Sequence, residues 1–346
     1  MDFHPAVSHG LSGPAVPALI AGAGSAPRGA SLRSSPSASA TATRGALGLM
    51  HENGHAVFRN DRSKPVVIFD TSAINELKPD SARPMLAVIA SDFHFRLTGL
   101  NVGEIIATRR TTERALLLDR CAELLASGEC IWPAQHILKL LISAHFKSPS
   151  GFEWARVNVR AEKYERAVVR RAFPESLSAR QRQEQKAIQK AFEQWWDGLR
   201  RELDAAFAKD PEVRPPSFRD AVAMLRVDGG LLWTFAQTLY EGVTDWRPNE
   251  TAIRAFMDTC PPFCAAVYGL LAMFWYDRCV RLPGTEPSFG AGRNDMMMSV
   301  YLPYCGCFVS AEKQQVQERC LREVALAAGI GCEVLSYETF SAGFSI

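Results

Sequence analysis

Four β-branched or aromatic residues in a row, Val66-Val67-Ile68-Phe69, end on an acid, Asp70. Side chains along a strand point alternately to its two faces, so this run is apolar on both. A strand read over 65–70 on this run belongs in a parallel sheet with helices packed on each side. The surrounding pattern agrees. A helix is expected over 71–78, a second strand over 93–100, and a helix over 102–110 that Asn101 is placed to cap. A helix over 113–127 stops at Gly128. A short strand follows over 129–133, then an amphipathic helix over 134–146. After the glycines at 290 and 292 the pattern reads helix, strand over 307–310, helix over 316–328, and strand over 332–335. Strand and helix alternate at both ends of the chain, which predicts an α/β fold with a parallel sheet covered on both faces.

Two stretches stand apart. Residues 1–62 are rich in Ala, Gly, Ser and Pro and show little apolar periodicity, so a disordered low-complexity tail is expected. Its scattered Arg faintly suggest a transit peptide; the simpler reading is an over-extended start, with the true beginning near Met50. Residues 147–290 carry long charged amphipathic patterns over 152–173 and 179–210, with a break at 211–217. Between 151 and 210 there are 13 Lys+Arg against 10 Asp+Glu, mixed along the chain, which describes solvated helix faces.

Ligands of open parallel sheets bind beyond the carboxyl ends of the strands. Four acids fall there: Asp70 after the first strand, Glu104 in the first turn after the second, Asp295 at the start of a helix, and Glu312 after the 307–310 strand. Four carboxylates in one cleft repel each other unless a cation neutralises them. Oxygen donors of this kind suit Mg2+ or Mn2+, which retain water and hold phosphate.

The segments VVIFDTSAI, GLNVGEI, NDMMMSVYLPYCGCFVSAEKQ and GIGCEVLSYETF resemble, in order, the four motif regions of the PIN-domain ribonucleases. The resemblance covers 64–146 and 291–346, the span of a small domain, and makes 147–290 a helical insertion. It implies a three-layer α/β/α sandwich with a central parallel sheet. It also implies a metal-dependent ribonuclease that binds Mg2+ or Mn2+ through Asp70, Glu104, Asp295 and Glu312. Ser72, Asn101 and Ser310 fall on supporting positions, and Arg293 and Lys313 are placed to steer an RNA backbone. Cleavage leaving 3′-hydroxyl and 5′-phosphate ends is implied. RNA is the substrate it points to, while an antitoxin or other protein partner and a homodimer stay open. Glu312 departs from the family's usual Asp by one methylene, and compact members lack the insertion. Both departures leave room for a PIN-like module that binds RNA or protein without cutting it.

Each acid also has a plain structural reading. Asp70 is a turn residue, Glu104 the capping-box partner of Asn101, Asp295 a helix cap, and Glu312 a residue favoured at a helix N-terminus. A phosphatase of the haloacid-dehalogenase kind would need a second acid where Ser72 stands. His51-Glu52-Asn53-Gly54-His55 fits the zinc motif H-E-x-x-H, but Asn-Gly is a turn dipeptide and a poor helix interior. Nine cysteines without a C-x-x-C pair read as reduced, mostly buried thiols of a cytoplasmic protein. A net charge of +2 argues against a polybasic nucleic-acid coat. The longest apolar run, 264–276, is short of the about 20 residues a membrane span needs.

Overall fold

In the computed structural model the described residues are 51–52, 55–56, 64–171, 173, 175–207, 217–276, 296–312 and 316–344. Five parallel strands form the central sheet: β1 (Val66–Phe69), β2 (His94–Thr98), β3 (Glu129–Ile131), β4 (Cys307–Ser310) and β5 (Glu333–Ser336). Their spatial order is β3-β2-β1-β4-β5. Val67 lies beside Phe95 on one side and Cys307 on the other, and Phe308 beside Val334. The chain therefore builds outward from β1 in one direction, then returns to build in the other.

Two hydrophobic cores flank this sheet, which makes a three-layer α/β/α sandwich. Val67, Phe69, Phe95, Leu97, Cys130 and Val309 face the first core. Helices α1 (Thr71–Glu76), α2 (Arg83–Asp92), α3 (Gly99–Ala107) and α4 (Thr111–Leu124) supply its cover. Ile68, Ile131, Phe308 and Val334 face the second. Here α5 (Ala134–Lys147) is joined by α8 (Phe218–Leu225), α9 (Leu231–Thr244), α10 (Glu250–Thr259), α11 (Pro261–Trp275) and α12 (Val316–Ala327). The segment read as an insertion thus contributes cover for one face of the sheet. Gly269 lets α11 approach closely: a Cβ there would stand 2.5 Å from Ser299 Oγ and 3.0 Å from Met296 O. Among the described residues no single helix is long and apolar enough to cross a membrane. The bent pair α10–α11 passes that test together, yet nearly all of α11 is buried inside the protein.

Several local expectations are corrected. Helix α3 starts at Gly99, and its cap is Thr98 rather than Asn101. Thr98 Oγ1 accepts from the Asn101 N–H at 3.1 Å while Asn101 Oδ1 accepts from the Thr98 N–H at 3.1 Å, a reciprocal box. Glu104 therefore sits in the second turn and is not a capping partner. The pattern over 152–173 is α-helical only in α6 (Glu162–Val169), with a short 3-10 turn at Trp154–Arg156. Before it, the chain runs antiparallel along β3: Trp132 N–H donates to Val159 O at 2.9 Å, and Ala161 N–H to Cys130 O at 2.7 Å. The sheet edge is covered by this segment. The long charged helix is α7 (Glu175–Phe207). After 295 the chain forms mainly a 3-10 helix, Met298–Tyr304, which contains Pro303. His51–Glu52 and His55–Ala56 pair as antiparallel strands, so the H-E-x-x-H pattern does not form the helix a zinc site requires. The eight described cysteines are all free thiols and six are buried.

Arg96 is the exception on the second face. It is buried, donates from Nε to Glu129 Oε1 at 2.6 Å, and also bonds the Tyr304 carbonyl. Burial pushes Glu129 up, but His94 and Arg96 together outweigh it and hold the carboxyl at about 2. A depressed pKa stabilises the fold above the unfolded value of about 4.5, and that stability is lost as pH falls toward 2. The difference of roughly 2.5 units corresponds to about 3 kcal/mol. Urea unfolding of wild type should show this acid loss, and Glu129→Gln should lack it. Arg96→Met, which leaves the buried Glu129 with His94 as its remaining partner, should cost about 3 kcal/mol at pH 7.

Candidate active site

Asp70 stands at the carboxyl end of β1, in the crevice between β1 and β4 where the sheet reverses its direction of growth. That is the topological switch point, the usual ligand site of open α/β sheets. Asp70 caps α1, and its backbone is fixed by donation from its N–H to Val309 O at 2.9 Å. Its carboxylate is 4% exposed as a residue and accepts from three groups. Ala73 N–H lies 2.7 Å from Oδ1, and Ser310 Oγ lies 2.8 Å from Oδ2. Ser72 Oγ stands between the two oxygens, at 2.7 and 2.8 Å.

The two hydroxyls are themselves anchored. Ser72 Oγ accepts from Ala311 N–H at 2.8 Å, and Ser310 Oγ from Glu312 N–H at 3.3 Å. Asp70, Ser72 and the segment 310–312 are thereby tied into one network across the β1–β4 crevice. From the other neighbour, Asn101 is fully buried and its Nδ2 donates to Thr71 Oγ1 at 3.1 Å. Three strand ends are thus linked at one edge. Thr98 and Thr71 enter this network although the sequence reading passed over them; Thr98-x-x-Asn101 is the signal that could have found the first.

Burial raises the Asp70 carboxyl above its ordinary range, and the bonds from Ala73, Ser72, Ser310 and Ala311 oppose that rise. No ion pair to Asp70 occurs among the described residues, so it is held by neutral donors that orient it without cancelling its charge. The carboxylate oxygens so held keep their charge for a cation. Oxygen donors of this kind suit a hard cation such as Mg2+, for which one or two carboxylates suffice beside water and phosphate.

The expected acids divide. Asp70 and Glu312 are brought to the same crevice through Ser310. Glu104 is one turn beyond Asn101 on α3 and partly exposed. Asp295, Arg293 and Lys313 lie outside the described residues. Among the described residues no three His, Cys, Asp or Glu side chains gather closely enough to hold a metal ion together. Helix α7 lies along α3 here: the amides of Gln181 and Gln185 stand 3.5 and 3.6 Å from where a Cβ on Gly103 would sit. No protein-family model, curated protein or solved structure matches the chain.

The raised Asp70 carboxyl makes a prediction. Its ionised form costs stability, a cost absent below the unfolded pKa and fully present once pH rises through the folded value. Asn caps helices as well as Asp does. In chelator, Asp70→Asn should therefore melt at or above the wild-type temperature at pH 7, with the gap closing at pH 3. Ser310→Ala should instead lose about 1–2 kcal/mol, because it removes a donor to a buried carboxylate. A strongly destabilised Asp70→Asn would contradict the account.

Proposed function

We propose that this chain is a Mg2+- or Mn2+-dependent ribonuclease of PIN-like build, hydrolysing RNA phosphodiester bonds at the carboxyl edge of the sheet. The observation that carries the reading is Asp70: a buried carboxylate at the switch point, aimed by two serine hydroxyls and a backbone N–H and paired with no cation among the described residues. A structural Asp at a strand end needs only its cap; the Ser72–Ser310 bridge adds orientation that a cap does not require. Asp70 would hold the ion, with Glu104, Asp295 and Glu312 as the other acids of the site. A bound ion of this kind supplies an activated water and steadies the charge on the leaving oxygen. The chain's own part is positional: Ser72 and Ser310 fix the Asp70 carboxylate, and Asn101 fixes the turn after β1 through Thr71. Arg293 and Lys313 are assigned to the RNA backbone. An antitoxin-type protein partner and a homodimer belong to the same proposal.

A second reading, a PIN-like module that binds RNA or protein without cutting, is favoured by one observation: helix α7 lies against α3, which carries Glu104. The two separate by experiment. Wild type with Mn2+ should cut a mixed pool of structured RNAs. Asp70→Asn and Asp295→Asn should each lose about 100-fold or more in rate, of the order that one charge-stabilising group contributes. If wild type cuts nothing, and calorimetry finds no Mn2+ binding that Asp70→Asn removes, the binding-module reading replaces the nuclease.

A further inference from the structure

Along the same sheet edge, two strands from Asp70, aromatic rings and cations gather at the end of β3. Trp132 follows β3 directly and is half-buried. Its N–H donates to Val159 O, and its carbonyl accepts from the Tyr301 hydroxyl at 3.2 Å, so its backbone is fixed on both sides. The His136 ring lies 4.6 Å from the Trp132 ring, centroid to centroid, and Tyr164 meets it edge-on at 5.7 Å. Lys163 Nζ stands over the Trp132 ring at 4.9 Å. Lys139 is one turn beyond His136 on α5. The His136 imidazole is held below its ordinary value first by burial and then by the charges of Lys163 and Lys139, so both cations bear on this one ring.

Four arginines of the 153–171 stretch are charge-paired. Arg156 meets Glu153 at 2.7 Å, Arg160 meets Glu165 at 2.9 Å and Arg166 meets Glu162 at 3.3 Å. Arg171 pairs with Asp119. Among the described residues Lys139 and Lys163 have no carboxylate partner. Two cations without counter-ions beside clustered rings fit a ligand that brings both a flat ring and a negative charge. A nucleotide has both. Aromatic side chains accept any base on their faces, and lysines take the phosphate.

We propose that Trp132, His136, Lys139 and Lys163 form a docking platform for a nucleotide of single-stranded RNA, its base against Trp132 and its phosphate at the two lysines. The strand then runs along the carboxyl edge from β3, past β2, to Asp70. Neighbouring strands are spaced about 4.8 Å apart, which puts the platform roughly 10 Å along the edge from the carboxylate. Lys163 is exposed and covers the ring through a weak surface cation–π contact, so an incoming base displaces it toward the phosphate. Stacking reads no base edge, so binding is tolerant of sequence. This platform rests on the ribonuclease reading, and its test keeps the two apart.

The experiment is fluorescence anisotropy of the full chain with a short labelled single-stranded RNA in EDTA, repeated at several salt concentrations. Cleavage with Mn2+ is followed in parallel. Lys139→Ala and Lys163→Ala, both surface changes, should weaken Kd and each lower the slope of log Kd against log salt by about 0.7. Trp132→Leu should weaken binding about tenfold, and Trp132→Phe should stay within about threefold of wild type. Asp70→Asn should bind like wild type and not cut. If wild type binds and cuts but both lysine variants keep its Kd and salt slope, the platform is wrong and the nuclease stands. Preference for duplex over single strands also overturns the platform. If wild type neither binds nor cuts RNA, the nuclease reading fails and takes the platform with it.

Discussion

A parallel sheet whose strands are apolar on both faces cannot exist in water until each face is covered. That requirement organises this chain. Val67 and Phe69 point to one core and Ile68 to the other, so β1 alone demands two layers. The residues between β1 and β3 provide most of the first cover locally. The second face has no such local supply beyond α5; its cover is completed by helices drawn from 217–275, by the 3-10 helix Met298–Tyr304 and by α12. The high apolarity of α11, which by composition alone resembles a membrane segment, has its cause here: it is packed on all sides by protein. Arg96 tests the same rule from the other side. A charge on a face meant for apolar packing is tolerated because Glu129 and a backbone carbonyl meet it within the layer.

The parts of the fold legible in the sequence were those with strong, uninterrupted signals. The run read over 65–70 is a strand over 66–69 and the run at 307–310 is a strand with those bounds, because dense β-branched and aromatic residues leave little alternative. Their order and the intervening helices were enough to give the parallel sheet. Boundaries failed where two residues competed for one role. Asn101 has good capping chemistry, but Thr98 three residues earlier takes the cap and turns Asn101 into its reciprocal partner. The charged pattern over 152–173 failed for a different reason. Val157 and Val159 lie in a stretch that gains more by hydrogen-bonding along the edge of β3 than by coiling, a tertiary choice no local pattern records.

The candidate site was legible in outline. Asp70, Ser72 and Ser310 were expected together and are joined by hydrogen bonds of 2.7–2.8 Å. Asn101 bonds Thr71 beside this network, and the reason for its position differs from the one expected. The cluster around Trp132 was not read from the sequence, since Lys163 and Tyr164 reach Trp132 only when α6 folds back over the end of β3. The site as a whole uses neutral groups to aim a charged one. Serine hydroxyls and an amide give Asp70 a direction, whereas an arginine would have given it a direction and taken away its charge.

The central pair of the sheet joins residues very far apart in sequence. The bond between Ser310 and Asp70 closes a separation of 240 residues. Contacts of that range are costly to form early and come late in folding. On the ribosome, β1, β2 and β3 emerge long before β4 exists, so β1 waits with one edge unpaired and its carboxylate without the Ser310 donor. A chain halted anywhere before β4 has the acid but not its setting. The crevice is assembled only after β4 has been made, and the order of the strands keeps a shorter nascent chain from carrying it.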